Sequence, residues 1–434
     1  MCQTRSQGQH DDHHHHNHHH HHHHHGQQDH LGPSARSADT PARLSRRDVL
    51  KGLTTTGLVA ATSGLPWGGL VRAVADDGHP SAIGPASVKL FDLKKVVDGV
   101  FAAIAKPTAM LNCNAAVIVN HDHVLVVDTH SYPSAAKALI KQIRDEVTDL
   151  PVRYVVDSHF HGDHAMGNEA YPEVFGGSVE VISSVKTREW LEKLGVSRVR
   201  ESLEGLPKQI ADFRAKLEAS RDESERAVLK SHIEGLEAYQ KEMMPPRVTL
   251  PSMTFDRRLV IHRGSREIHL LFLGRAHTGG DIVTYIPSER LVATGDLMHG
   301  WLPYMGDGFP DEWPATLRAL EALDFDRVIP GHGTVQEGKS VLAEFRGYIE
   351  EITEKVTRGV ERGQPLDELQ KTITLDTLTS LAANNTRQRV GREMVTLFPM
   401  AKSAELVAGS VTNNVREIFT YLTERKGKRE IPLR

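Results

Sequence analysis

A chain of 434 residues is long for one domain and has room for two. Its 39% hydrophobic and 25% charged residues are ordinary for a soluble globular protein, and a formal charge of −4 without a basic, aromatic-interleaved stripe argues against nucleic acid as a partner. The only cysteines, Cys2 and Cys113, argue against a disulfide framework and leave no thiolate cluster for zinc.

Histidine departs from the average, with 14 of the 27 falling in the first 30 residues. Residues 1–44 are low in complexity and dominated by the tract His13–His25, which only Asn17 interrupts. With almost nothing to bury, this segment is expected to be disordered and to chelate metal at most loosely. An added tag or a start codon placed too early would give such a tract, although Asn17 is unusual in a clean tag. Ser45-Arg46-Arg47-Asp48-Val49-Leu50-Lys51 then resembles a twin-arginine export motif. It is followed by a mildly apolar run, Gly52–Val71, and by the small-residue cleavage pattern Ala73-Val74-Ala75. The run is rich in Gly, Thr and Ala and would make a poor permanent span. A signal peptide over 45–75, cleaved after Ala75, is therefore expected, with a periplasmic or secreted mature protein that keeps no membrane span.

From about residue 88 short apolar strands alternate with amphipathic helices, the pattern of an α/β domain over 88–340. Ala115–Val119 and Val124–Val127 read as a hairpin turning near His121-Asp122, followed by a helix at Ser134–Glu146 and a strand at Val152–Val156. Further strands are expected at Val179–Ile182, Leu259–His262, Ile268–Leu273, Ile282–Ile286, Leu291–Ala293 and Val328–Ile329. Between them, at about 200–245, the apolar positions Leu206, Ile210, Phe213 and Leu217, then Leu229, Ile233 and Leu236, follow helical spacing around a break at Ser220–Glu223. This predicts a helical hairpin insertion, either a solvated arm or a lid. Residues 341–434 read as a helical C-terminal extension, with stripes at Phe345, Ile349, Ile352 and Val356 and at Val415, Ile418, Phe419 and Leu422.

The densest chemistry is Asp157-Ser158-His159-Phe160-His161-Gly162-Asp163-His164, directly after a predicted strand. Alternate side chains of an extended segment share a side, so His159, His161 and Asp163 converge. Gly162 permits a turn that redirects His164. Two foci result, an imidazole pair and a carboxylate with an imidazole, which suit zinc or another borderline divalent ion such as iron or manganese. Of the other histidines, His121 and His123 are expected to face solvent beside their turn, and His232, His262 and His269 to be structural. His130 and His299, close to motifs, are candidates for lining the pocket.

The H-x-H-x-D-H pattern resembles that of the metallo-β-lactamase superfamily. Gly274-Arg275-Ala276-His277-Thr278-Gly279-Gly280-Asp281, Ala293-Thr294-Gly295-Asp296 and Pro330-Gly331-His332-Gly333 resemble its third, fourth and fifth motifs, and Val126-Val127-Asp128-Thr129 its first. The resemblance implies a four-layer αββα sandwich holding two zinc ions. His159, His161 and His277 would serve one ion and Asp163, His164 and His332 the other, with Asp296 bridging and Asp128 in support. Two such ions, ~3.5–4 Å apart, share a water and lower its pKa toward ~7. In the catalytic roles, Asp163 would orient the resulting hydroxide and Asp296 would fix the metal separation.

An aspartate at 296 resembles the thioesterase (glyoxalase II-like) and lactonase branches, whereas the superfamily's β-lactamases typically carry Cys or Ser there. The first motif and the helical extension are also similar to exported zinc hydrolases associated with quinoprotein and sulfur-oxidation systems. An exported two-zinc hydrolase of an ester, thioester or lactone-type small molecule is the leading expectation. Its rivals are a β-lactam hydrolase, a mononuclear iron sulfur dioxygenase and a non-enzymatic zinc buffer. A flavo-diiron protein is disfavoured, because its pattern has Glu where His161 stands.

Overall fold

In the computed structural model the described residues are 89–263, 266–397 and 402–427. The His-rich tract, the Arg46-Arg47 pair and the 45–75 signal segment lie outside them, as does Cys2.

The organising strand is Val-Leu-Val-Val at Val124–Val127 (β4), whose four side chains are all buried. A strand with no polar face must be covered on both sides, and the residues around β4 show how this is done. The first sheet has the order β1 (Phe91–Val97), β2 (Val100–Ala105), β3 (Ala115–Val119), β4, β5 (Val152–Val156), β6 (Glu180–Ser184), β7 (Met253–Phe255). Pairing is antiparallel as far as β4 and parallel from β4 to β7. The second sheet runs β13 (Gln336–Glu337), β12 (Arg327–Pro330), β11 (Leu291–Gly295), β10 (Val283–Ile286), β9 (Arg266–Leu271), β8 (Arg258–Arg263), with β11 and β12 parallel.

Alternation along the strands then assigns the layers. Leu125, Val127, Val156 and Ile182 point into an apolar layer shared with Ile268, Leu270, Ile286, Leu291 and Ile329 of the facing sheet. Val124, Val126 and Val155 point the other way, onto Leu139, Ile140 and Ile143 of helix α1 (Pro133–Glu146). Val283, Val292 and Val328 of the second sheet are covered by Leu317 and Leu320 of α5 (Trp313–Glu321), Phe345 and Ile349 of α6 (Ser340–Glu361), and Val411 and Val415 of α8 (Ser403–Thr420). Two mixed sheets packed face to face and flanked by helices result, as expected. No helix of the described residues is long and apolar enough to cross a membrane.

Three elements complete the frame of the site. Helix α2 is a single turn, Gly162–Ala165, just after β5. Helices α3 (Val196–Ala219) and α4 (Glu223–Glu242) form a hairpin between β6 and β7. Helix α7 (Thr386–Leu397) precedes α8.

One expectation fails in the fold. His123 does not face solvent; it is fully buried at the start of the β3–β4 return. Its Nδ1 lies 2.7 Å from Asp122 Oδ1 and its Nε2 3.1 Å from Asn120 Nδ2, while its ring meets the edge of Tyr154 on β5. With both ring nitrogens partnered locally, the imidazole buries at little cost. His121 is exposed.

Candidate metal centre

The predicted ligands leave the C-terminal ends of strands from both sheets. Beyond β5 the chain bends through Ser158–Phe160 and is extended again at His161, whose backbone at φ −66, ψ 148 is the N-cap of α2. The bend brings the His159 and His161 rings to one centre, and the single turn of α2 swings Asp163 and His164 back toward it. His277 lies in the loop after β9, Asp296 directly after β11 and His332 after β12.

Coordinating atoms of His159, His161 and His277 all lie within 4.8 Å of one another, and so do those of Asp163, His164 and His332. His277 Nε2 is 2.9 Å from His161 Nδ1, and His332 Nε2 is 3.0 Å from Asp163 Oδ2. Asp296 touches both groups: its carboxylate lies 3.6 Å from His277 Nε2, 3.3 Å from His164 Nε2 and 3.5 Å from His332 Nε2. None of the seven residues is more than 6% exposed, so this is an internal centre and not a surface chelate.

Each imidazole of the first segment and of the third motif is held by its far nitrogen. His164 Nδ1 donates to Asp128 Oδ2 at 2.8 Å, His277 Nδ1 to the Tyr304 carbonyl at 3.0 Å, and His161 Nε2 to Asp307 Oδ2 at 2.8 Å. His159 Nδ1 donates to Ser158 Oγ at 3.0 Å, and that hydroxyl donates in turn to Asp128 Oδ2 at 2.9 Å. Asp128 sits at φ +67, a strained position for a non-glycine residue, and its Oδ1 also accepts the Ser158 amide at 2.8 Å. Apart from their contacts with one another, the near atoms have no hydrogen-bond partner among the described residues: Nε2 of His159 and His164, both oxygens of Asp163, and Oδ1 of Asp296. Buried polar atoms are seldom orphaned, and here several converge. The donor set fits a metal: imidazole nitrogen and carboxylate oxygen, with no thiolate, suit zinc or a similar divalent ion.

The two groups differ electrostatically. Burial and the neighbouring imidazoles hold His159 well below the usual histidine range, and burial takes His277 down to about 3, so both rings are neutral. Burial alone would also lower His332, but the Asp296 and Asp163 carboxylates outweigh it and push it up to about 9. His164 is raised for the same kind of reason. Without metal the second group holds protons between its carboxylates and imidazoles; a bound cation would replace them.

The backbone is built close around Asp296. A Cβ on Gly331 would lie 2.1 Å from Asp296 Oδ1 and 2.7 Å from the carbonyl carbon of Gly295. Asn114 holds the same turn, donating from Nδ2 to the carbonyls of Pro330 at 3.0 Å and Gly333 at 2.8 Å. Gly331→Ala is therefore expected to displace the Asp296 carboxylate and to cost ~1–3 kcal/mol as overpacking. Thermal melting together with metal content checks this; an unchanged melting temperature and full metal content would refute it.

Other histidines stay out of the centre. His130 stacks on Phe91 at 4.2 Å and lies 3.1 Å from the Cys113 carbonyl through Nδ1. His299 is buried with its ring centre 5.8 Å from that of His332, whose ring stacks on Trp301. His232 lies against Phe213, while His262 and His269 pair with Glu267. Sequence reasoning missed Ser158, Asp307 and the Tyr304 carbonyl. Only Asp307, an acid between Gly306 and Gly308, carried a signal that could have been read.

The family model described as "Metallo-beta-lactamase superfamily" matches residues 109–332, a span that contains all seven residues and ends on His332. The chain belongs to this superfamily. Over 265 residues it is 25% identical to a linear primary-alkylsulfatase of Pseudomonas sp. (strain ATCC 19151), covering 58% of this chain and 48% of that protein. The chain thus spans about half the length of the curated relative it matches. Two solved superfamily structures align at 16% identity over 60% of this chain. They are a metallo-beta-lactamase from Pontibacter korlensis (TM-score 0.44, 99% of that chain) and the DIM-1 metallo-beta-lactamase (0.43, 97%).

Proposed function

We propose that this chain is a two-metal hydrolase of ester-type bonds: a carboxylic ester, a thioester or a lactone. The observation that carries the reading is the position of the Asp296 carboxylate, within 3.6 Å of imidazole nitrogens in both ligand groups. A single carboxylate shared in this way suits two ions held side by side. Bound there, divalent ions supply a water acidified toward neutral pH and polarise the bond to be cleaved. The chain supplies the rest. Asp163, whose carboxylate faces His164 and His332 inside the centre, is placed to orient the attacking water and take its proton. Asp128 and Ser158 keep His164 and His159 in one tautomer, with the ring proton on the far nitrogen.

The complete second group, Asp163, His164 and His332, argues against a mononuclear iron dioxygenase, and aspartate at position 296 argues against β-lactams. A sulfate ester of a primary alcohol is a second reading, favoured by the alkylsulfatase relative. The zinc-loaded protein should be assayed in parallel on thioesters, lactones, carboxylic esters, primary alkyl sulfates, penicillins and carbapenems. The expected result is turnover of one ester-type class well above that of any β-lactam. Penicillin turnover that matches or exceeds all of these would overturn the ranking, and fastest cleavage of alkyl sulfates would move the assignment to the second reading.

A further inference from the structure

The loop Tyr304–Gly308 contributes none of the seven ligands, yet it holds two of the three imidazoles in the first group. His277 Nδ1 donates to the Tyr304 carbonyl at 3.0 Å and His161 Nε2 to Asp307 Oδ2 at 2.8 Å. Each bond places the ring proton on the far nitrogen and leaves the near one, His277 Nε2 or His161 Nδ1, with its lone pair toward the centre. The loop is gripped from two sides. From the hairpin, Arg198 of α3 donates two parallel hydrogen bonds to Asp307, at 2.7 and 2.8 Å. From beyond α8, Arg425 donates to the carbonyls of Gly306 and Gly308.

We propose that Arg198 is a positioning residue of the first metal-binding group, acting through Asp307 on His161, so that the helical hairpin is part of the metal centre's support. The proposal rests on the reading of this centre as a metal site. Packing agrees with it. The hairpin's inner stripe, Leu203, Leu206 and Ile210 of α3 with Leu229, Ile233 and Leu236 of α4, forms one apolar cluster with Phe160 and Phe309. Phe160 lies between His159 and His161 in the chain, and the Arg198 guanidinium sits 4.9 Å from its ring centre. Phe309 follows the gripped loop directly. A solvated arm would not share its core with the ligand segment, and a lid would not carry a part-buried, two-bond ion pair to a ligand's outer nitrogen.

The geometry calls for arginine in particular. Its planar fork fixes both carboxylate oxygens at once, whereas a lysine ammonium offers a point charge that leaves the carboxylate free to rotate. Without the fork, Asp307 no longer dictates the plane of the His161 ring.

Metal-stripped full-length protein should be titrated with zinc in wild type, Arg198→Gln, Arg198→Lys and Asp307→Asn. His161→Ala and His332→Ala identify the first-group and second-group equivalents, and the N-terminal histidine tract contributes equally to every variant. Arg198→Gln should weaken the first-group equivalent by ~10–100-fold, the range for outer partners of metal ligands, and leave the second unchanged. Arg198→Lys should fall between the two. Arg198→Gln added to Asp307→Asn should cost little more than Asp307→Asn alone, because both act through one bond. With folding checked by thermal melting, unchanged first-group affinity or an equal loss in both groups would overturn the proposal. If Arg198→Gln does not fold, Arg198→Lys and Asp307→Asn decide on the same criterion. Wild type that binds no zinc beyond the tract would overturn the underlying reading of the centre instead.

Discussion

His161→Ala should cost the protein one metal equivalent and nearly all hydrolysis while leaving it folded. The imidazole is 1% exposed and faces a centre where His277 Nε2 lies 2.9 Å away, closed off from bulk water. Losing a ligand outright should exceed the ~10–100-fold effect of losing an outer partner. Because the site is buried, survival of the fold needs a specific reason. Removing a buried histidine that pairs with a carboxylate threatens to strand a charge, and a stranded buried charge costs ~3–5 kcal/mol. Asp307 is not stranded, because Arg198 still holds both of its oxygens. The seven candidate ligands stand in the loops and the single turn beyond the strand ends, not within the strands whose side chains fill the apolar layers. Metal per chain, circular dichroism and turnover measured on one preparation test this. Wild-type metal content with full activity would remove His161 from the ligand set.

Much of the frame was legible because the inner strands are short β-branched runs bounded by turns: Ala115–Val119, Val124–Val127 and Val152–Val156 occupy the residues their patterns predict. β1 escaped prediction because Phe91–Val97 is mostly half-exposed and carries Lys94 and Lys95, so its apolar periodicity is broken. A turn signal was nevertheless present in Asp98-Gly99, where Gly99 adopts φ +71 between β1 and β2. In the centre, residue identities are legible because ligand chemistry restricts them to His and Asp at set offsets from strand ends. Their outer partners are not. Asp307 meets His161 from 146 positions away along the chain, and the Tyr304 group that holds His277 is a backbone carbonyl, which any residue could supply. His123 was misread because a polar residue beside a turn usually faces water, and nothing local announces that Tyr154 of another strand will cover it.

Asp296→Ser should weaken the second metal equivalent more than the first. The serine hydroxyl is one short, neutral oxygen in place of two charged ones, and it cannot span from His277 on one side to His164 and His332 on the other. The first group keeps three imidazoles that are neutral or hydrogen-bonded outward, ready to coordinate. The second group keeps Asp163, His164 and His332 but loses one of the two carboxylates that balance its charge. The metal-free protein gives an independent readout. His332 is raised from 6.5 to about 9, with Asp296 the largest favourable cause against burial and Asp163 adding to it. A raised folded-state pKa stabilises the fold fully below about 6.5, and the contribution is lost as pH rises through about 9. In Asp296→Ser the His332 titration should move down, and that pH-dependent stability should fade at lower pH than in wild type. NMR titration of the metal-free variant measures the shift, and zinc titration measures the loss. Asp296→Asn, which keeps the shape and removes the charge, should move His332 in the same direction. Retention of both metals by Asp296→Ser, with His332 still titrating near its wild-type value, would show that this carboxylate neither joins the two groups nor sets their charge.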